Sequence, residues 1–121
     1  MKLHTATHTI VAALLIATCQ FAHAHAYPVH QMPGAGSMVS ASQKDVAIDY
    51  DDGLEPAFSS IKVTDARGDS VTSAKSVVDA TNKKHMSVAL NLHARGLYTV
   101  YWIAVAADGH RTQGRYTFKV E

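Results

Sequence analysis

The chain has 121 residues, eleven Lys and Arg against ten Asp and Glu, eight histidines and a single cysteine. So even a balance lacks the basic excess that nucleic acid or an acidic membrane surface requires of its main partner. One cysteine supplies no disulfide framework, so stability must come from burial, and the length suits one small domain with a real core.

Residues 1–24 read as an export signal. Lys2 gives a positive start, Ile10 to Ile16 an apolar run, and Thr18 to Ala24 a short polar end. The apolar run is far below the roughly 18–20 residues that a spanning helix needs, so no retained anchor is expected. Thr18 before Cys19 does not fit a lipoprotein site, which takes Gly, Ala or Ser there. Ala22-His23-Ala24 places small residues where a signal peptidase reads them, which predicts a cut after Ala24 and a mature chain beginning at His25. Ala24-His25-Ala26 satisfies the same rule, and a cut there would start the protein at Tyr27; the earlier cut gives the more usual length. Loss of residues 1–24 removes Lys2 and Cys19, leaving ten charges of each sign and no thiolate for a zinc-finger or blue-copper site.

From Ala26 onward no window carries apolar residues at helical spacing, and β-branched residues alternate with polar ones. A short strand is expected over Met38–Ala41, after Pro33-Gly34-Ala35-Gly36. Val46, Ile48 and Tyr50 alternate with Asp45, Ala47 and Asp49 as a half-buried strand, and Ile61 and Val63 do the same before the turn cluster Asp65 to Asp69. Val71–Val78 and Met86–Leu90 are further strands. The run Leu97–Ala106 is apolar on both faces, which predicts a central strand that Asp108-Gly109 ends; Tyr116–Val120 closes the domain. About seven short strands with regular turn signals predict an all-β fold, a single antiparallel Greek-key β-sandwich of Ig-like type over residues 25–121.

Three positions carry chemistry. A histidine at a new N-terminus offers its free α-amine and its imidazole Nδ1 to one metal ion, and no internal histidine can do that. Asp108 and His110 are two apart with Gly109 between them, a spacing that puts both side chains on one side, at the end of a rigid strand. Nitrogen-rich ligation with one carboxylate and no sulfur suits Cu(II) better than zinc or calcium. Each feature alone has a plainer account: Asp-Gly-His is also an ordinary turn, and His25 also a frayed terminus. Their conjunction in an exported, cysteine-free sandwich is what points to a metal.

These residues resemble the CopC family of small periplasmic copper-resistance proteins, over nearly the whole mature chain. His25-Ala26 followed by Pro33-Gly34-Ala35-Gly36 is similar to the family's opening histidine and Pro-Ala-x-Gly turn. Ile48 to Phe58 resembles the segment that usually holds Phe-Ser-Glu. Gly96 to His110 is similar to the family's Gly-x-Tyr-x-Val-x-Trp-x-x-x-Ser-x-Asp-x-His run, with Gly114 and Phe118 following. The resemblance implies a β-barrel-like sandwich holding one Cu(II) per chain through the amine and imidazole of His25, with Asp108 and His110. It further implies a monomeric, periplasmic, non-enzymatic protein in copper resistance or homeostasis, with an inner-membrane partner of the CopD type and no membrane insertion of its own.

Some members carry a second, Cu(I) site in a Met-rich loop. Asp65–Ser76 has no methionine here, and Met32, Met38 and Met86 are scattered and read as packing, so no Cu(I) site is expected. Asp52 falls where some members carry a glutamate near the copper and is expected as an outer or weak axial group. Arg111 stands where proline is common and would put a cation beside the copper, paired with Asp108. His30, His85 and His93 read as surface residues. Two other classes stay open: a copper-dependent oxidative enzyme with a histidine brace, and a metal-free structural or adhesive module.

Overall fold

The computed structural model describes residues 25–121; the expected signal, residues 1–24, lies outside the described residues. Eight strands form: β1 Pro28–Met32, β2 Met38–Val39, β3 Asp45–Tyr50, β4 Ser60–Thr64, β5 Val77–Val78, β6 His85–Ala89, β7 Gly96–Val105 and β8 Arg111–Val120. They make two four-stranded sheets in the orders β1-β3-β6-β5 and β2-β8-β7-β4, and the described residues contain no helix. The chain crosses repeatedly between the sheets, because β1 and β3 lie in one and β2 in the other. All pairings are antiparallel except β2 with β8, which is parallel.

Alternation decides which side of each strand faces inward. Val46, Ile48 and Tyr50 of β3 and Met86 and Val88 of β6 meet Tyr98, Val100, Trp102 and Ala104 of β7 and Tyr116, Phe118 and Val120 of β8. Tyr98 stacks on Phe118 at 5.6 Å and Tyr50 meets Trp102 edge-on at 5.7 Å, arrangements that aromatic quadrupoles favour. Each such side chain stabilises the fold by about 1.5–3 kcal/mol through the apolar surface it removes from water.

Strand β7 is central, between β8 and β4, but only one of its faces is buried. Leu97 and Tyr101 on the other face are 43 % and 41 % exposed, because no layer covers that side of the sheet. Strand β8 begins at Arg111, five residues before the expected Tyr116, since β7 offers ladder partners along its whole length, from Gly96↔Val120 to Val105↔Arg111. The expected strand over Val71–Val78 reduces to Val77–Val78 and an isolated bridge at Thr72. Strand β1 was not expected; Pro28 opens it and it pairs on one side only, an edge position where a proline removes no ladder bond.

Candidate metal centre

The turn between β7 and β8 carries Asp108 and His110. It is closed by the Gly109 N–H donating to the Ala106 carbonyl (2.9 Å) and by the Ala106 N–H donating to the His110 carbonyl (3.0 Å). Gly109 sits at φ +88°, a left-handed conformation that costs a glycine little and a side chain more. Asp108 grips His110 twice. Oδ1 accepts the His110 backbone N–H at 3.0 Å, and Oδ2 lies 2.5 Å from the imidazole Nδ1. With Nδ1 engaged, Nε2 is the nitrogen that His110 presents outward. The His110 backbone N–H, then its imidazole, then the charge of His25 hold the Asp108 carboxyl below the usual carboxylate range.

The N-terminal segment approaches this turn because it is pinned on both sides. The Ala26 side chain is fully buried and its carbonyl accepts the Thr112 hydroxyl from β8 at 2.5 Å. Tyr27 donates its N–H to Asp51 Oδ1 at 2.7 Å and accepts the Asp51 N–H at 3.0 Å. Held so, His25 places its ring centroid 4.8 Å from that of His110, at an interplanar angle of 56°. Its Nδ1 is buried without a hydrogen-bond partner. An unpaired buried nitrogen is costly, and a metal ion satisfies it as well as a proton donor would.

Among the described residues no three His, Cys, Asp or Glu side chains are gathered closely enough to hold an ion as they stand. The donor set explains this. Two of the four donors expected belong to His25 itself, and one of them, the backbone nitrogen, is a peptide amide until the bond to Ala24 is cut. The Asp108 oxygens meanwhile bond to His110. Of the other expected groups, Asp52 uses Oδ1 to accept the N–H of Gly53 at 2.8 Å, a local turn contact. Arg111 donates to Gln113 Oε1 at 3.1 Å and forms no ion pair with Asp108. Met86 is buried as expected, whereas Met32 and Met38 are 55 % and 59 % exposed, since β1 and β2 are edge strands. His93 is exposed, as expected of a surface residue, but His85 is half-buried and bonded to Asp49 at 2.7 Å, a pairing that register alone creates.

Residues 28–121 match the family model described as the CopC domain. The chain is 32 % identical over 113 residues to Protein YobA of Escherichia coli strain K12, covering 93 % of this chain and 90 % of YobA. It is 31 % identical over 112 residues to the copper transport protein CutJ of Bacillus subtilis, covering 92 % of this chain and 21 % of CutJ. Among solved structures it superposes on CopC from Methylosinus trichosporium OB3b with a TM-score of 0.73 and 32 % identity, over 80 % of this chain and 94 % of that one.

Proposed function

This chain belongs to the CopC family, and from that premise we propose that it is a periplasmic, non-enzymatic protein that sequesters or carries Cu(II), one ion per chain, in copper tolerance or delivery. The export signal of residues 1–24 is cut after Ala24. The freed amine and the Nδ1 of His25 close a chelate ring on the ion, and Asp108 and His110 complete the set.

The observation that carries this reading is the buried, partnerless Nδ1 of His25 beside His110. Nδ1 is the ring nitrogen a chelate with the α-amine requires, and it is the one left without a hydrogen bond. Copper is cargo here, and the side chain of His110 is 62 % exposed, which suits an ion that must pass to another protein. CutJ, a copper transport protein, contains a region like this chain that makes up 21 % of its length, which supports a role in copper traffic; the partner we infer from the family resemblance is an inner-membrane protein of the CopD type. An α-amine ordinarily titrates near ~8, so Cu(II) must displace its proton and the affinity rises with pH.

The test is copper retention after desalting, read by electron paramagnetic resonance, for protein beginning at His25. One equivalent of Cu(II) with nitrogen hyperfine structure is expected. A protein with one residue left ahead of His25 should fold equally well and retain far less. A His25-initiated protein that retains no copper, or a His110→Ala variant that retains as much as the parent, would overturn the assignment.

A further inference from the structure

The outer face of the first sheet carries a second group of metal-ligating side chains, in a row perpendicular to the strands. His30 of β1 pairs across from Asp49 of β3, and Asp49 pairs across from His85 of β6. Directly opposed residues project to one side of a sheet. That side is the solvent face, because Ile48, Tyr50 and Met86, the chain neighbours of Asp49 and His85, point into the core. Asp49 and His85 already touch, with Oδ1 2.7 Å from Nδ1.

His30 reaches this row through a bulge. β1 starts with Pro28 opposite Tyr50, and an unbroken register would then set Val29 opposite Asp49 and turn His30 inward. The register slips by one residue between Pro28 and His30, Val29 is extruded at 66 % exposure, and His30 arrives opposite Asp49. Bulges re-aim side chains in this way, since a shift of one residue exchanges the two faces of a strand.

We propose that His30, Asp49 and His85 form a surface site for a divalent transition-metal ion of the Zn(II) or Cu(II) class, separate from the site at the β7–β8 turn. Two imidazoles and a carboxylate are a donor set those ions favour. Nitrogen and oxygen donors about 2.0–2.1 Å from a tetrahedral zinc ion stand about 3.3 Å apart, so the 2.7 Å that separates His85 Nδ1 from Asp49 Oδ1 needs to open by only about half an ångström to admit it. The ion takes the place of the shared proton. His30 and His85 flank Asp49 at two strand spacings, roughly 10 Å, which two inward-leaning imidazoles and their metal–nitrogen bonds can span. His30 is exposed and free to turn inward, and that rotation converts a row of three into a set converging on one point. Asp79, whose N–H donates to the His85 carbonyl, adds negative charge beside the row.

The experiment uses the mature protein carrying His110→Ala, so that the turn site is disabled, with Zn(II) as the probe. Imidazole resonances are followed by NMR, affinity by competition with a chromophoric chelator, and mass by sedimentation. One Zn(II) per monomer is expected, with the His30 and His85 resonances shifting together. His30→Ala, His85→Ala and Asp49→Asn should each weaken binding at least tenfold, and His93→Ala should leave it unchanged. Thermal melts without zinc check that substitutions at exposed His30 and half-buried Asp49 and His85 leave the fold intact. Resonances that do not move, a His30→Ala variant that binds like its parent, or zinc that joins two chains would each overturn the proposal.

Discussion

His110 is oriented by a single side chain. Asp108 accepts both its backbone N–H and its ring N–H, and those bonds hold its carboxyl below the usual carboxylate range. The Asp108→Ala variant should therefore remove a proposed ligand and also leave His110 free to turn, and the affinity for Cu(II) should fall by more than the roughly 10–100-fold that losing a group which only orients a ligating histidine costs; competition against a chelator of known affinity measures it. The pH dependence follows from the same bonds. The folded-state pKa of Asp108 is lowered, so its restraint is complete above the ordinary carboxylate value of about 3.9 and is lost only as pH falls through the lower folded value. Acidification should then release copper first by returning a proton to the α-amine, with affinity falling as pH drops below about 8. A titration in which copper stays bound until about pH 4 would mean that the carboxylate, not the nitrogens, controls release.

At the scale of elements, β7 and β8 work as one hairpin whose tip holds two of the proposed ligands. Its packing depends on Gly114, which lies opposite Trp102; a Cβ there would fall 2.7 Å from the indole Cζ2 and 2.9 Å from Cε2. Trp102 is buried beneath Tyr50 and has little room to move. Gly114→Ala should cost about 1–3 kcal/mol, the range for overpacking, and urea denaturation would read it as a lower midpoint at unchanged slope. This hairpin was legible in the sequence, because Leu97–Ala106 is long and apolar and Asp108-Gly109 ends it. Its polar half was not: Arg111–Arg115 has no alternation to detect, and these residues are strand only because β7 supplies partners. The row of His30, Asp49 and His85 was invisible for a related reason. It is made by cross-strand register and one bulge, and neither leaves a mark in residue order. The chemistry of the turn survived such losses because Asp108 and His110 are local to each other, and His25 was legible from the signal-peptide cut that would leave it first in the mature chain.

Across the whole molecule, the N-terminal segment ties the two sheets together at the end where the proposed copper site lies. Two core hydroxyls bear on overall stability. Tyr50 and Tyr116 are buried with no hydrogen-bond partner. Burial pushes Tyr116 up to about 12, and burial together with Tyr116 pushes Tyr50 higher still. A raised folded-state pKa stabilises fully below the unfolded value of about 10 and is lost as pH climbs through the folded one. The fold should thus hold to about pH 10 and melt progressively above it, and Tyr116→Phe should delay that melting without loss at neutral pH, as followed by circular dichroism. The tether itself is the Thr112 hydroxyl on the Ala26 carbonyl, a buried bond between residues 86 apart in the chain. Thr112→Val keeps the shape but removes the donor, which leaves a buried carbonyl short of a partner and should cost about 1–3 kcal/mol of stability. Its larger consequence should be for copper. The imidazole of His25 meets His110 because Ala26 is pinned, so without the pin part of the binding energy must go into ordering the terminus. Copper that binds only the folded protein raises its melting temperature in proportion to the logarithm of ligand over dissociation constant. The copper-induced rise should then be smaller in Thr112→Val than in the parent at equal copper, after allowance for the lower starting point. An equal rise in both would mean that His25 finds the ion without help from β8, and that the bond to Ala26 serves the fold alone.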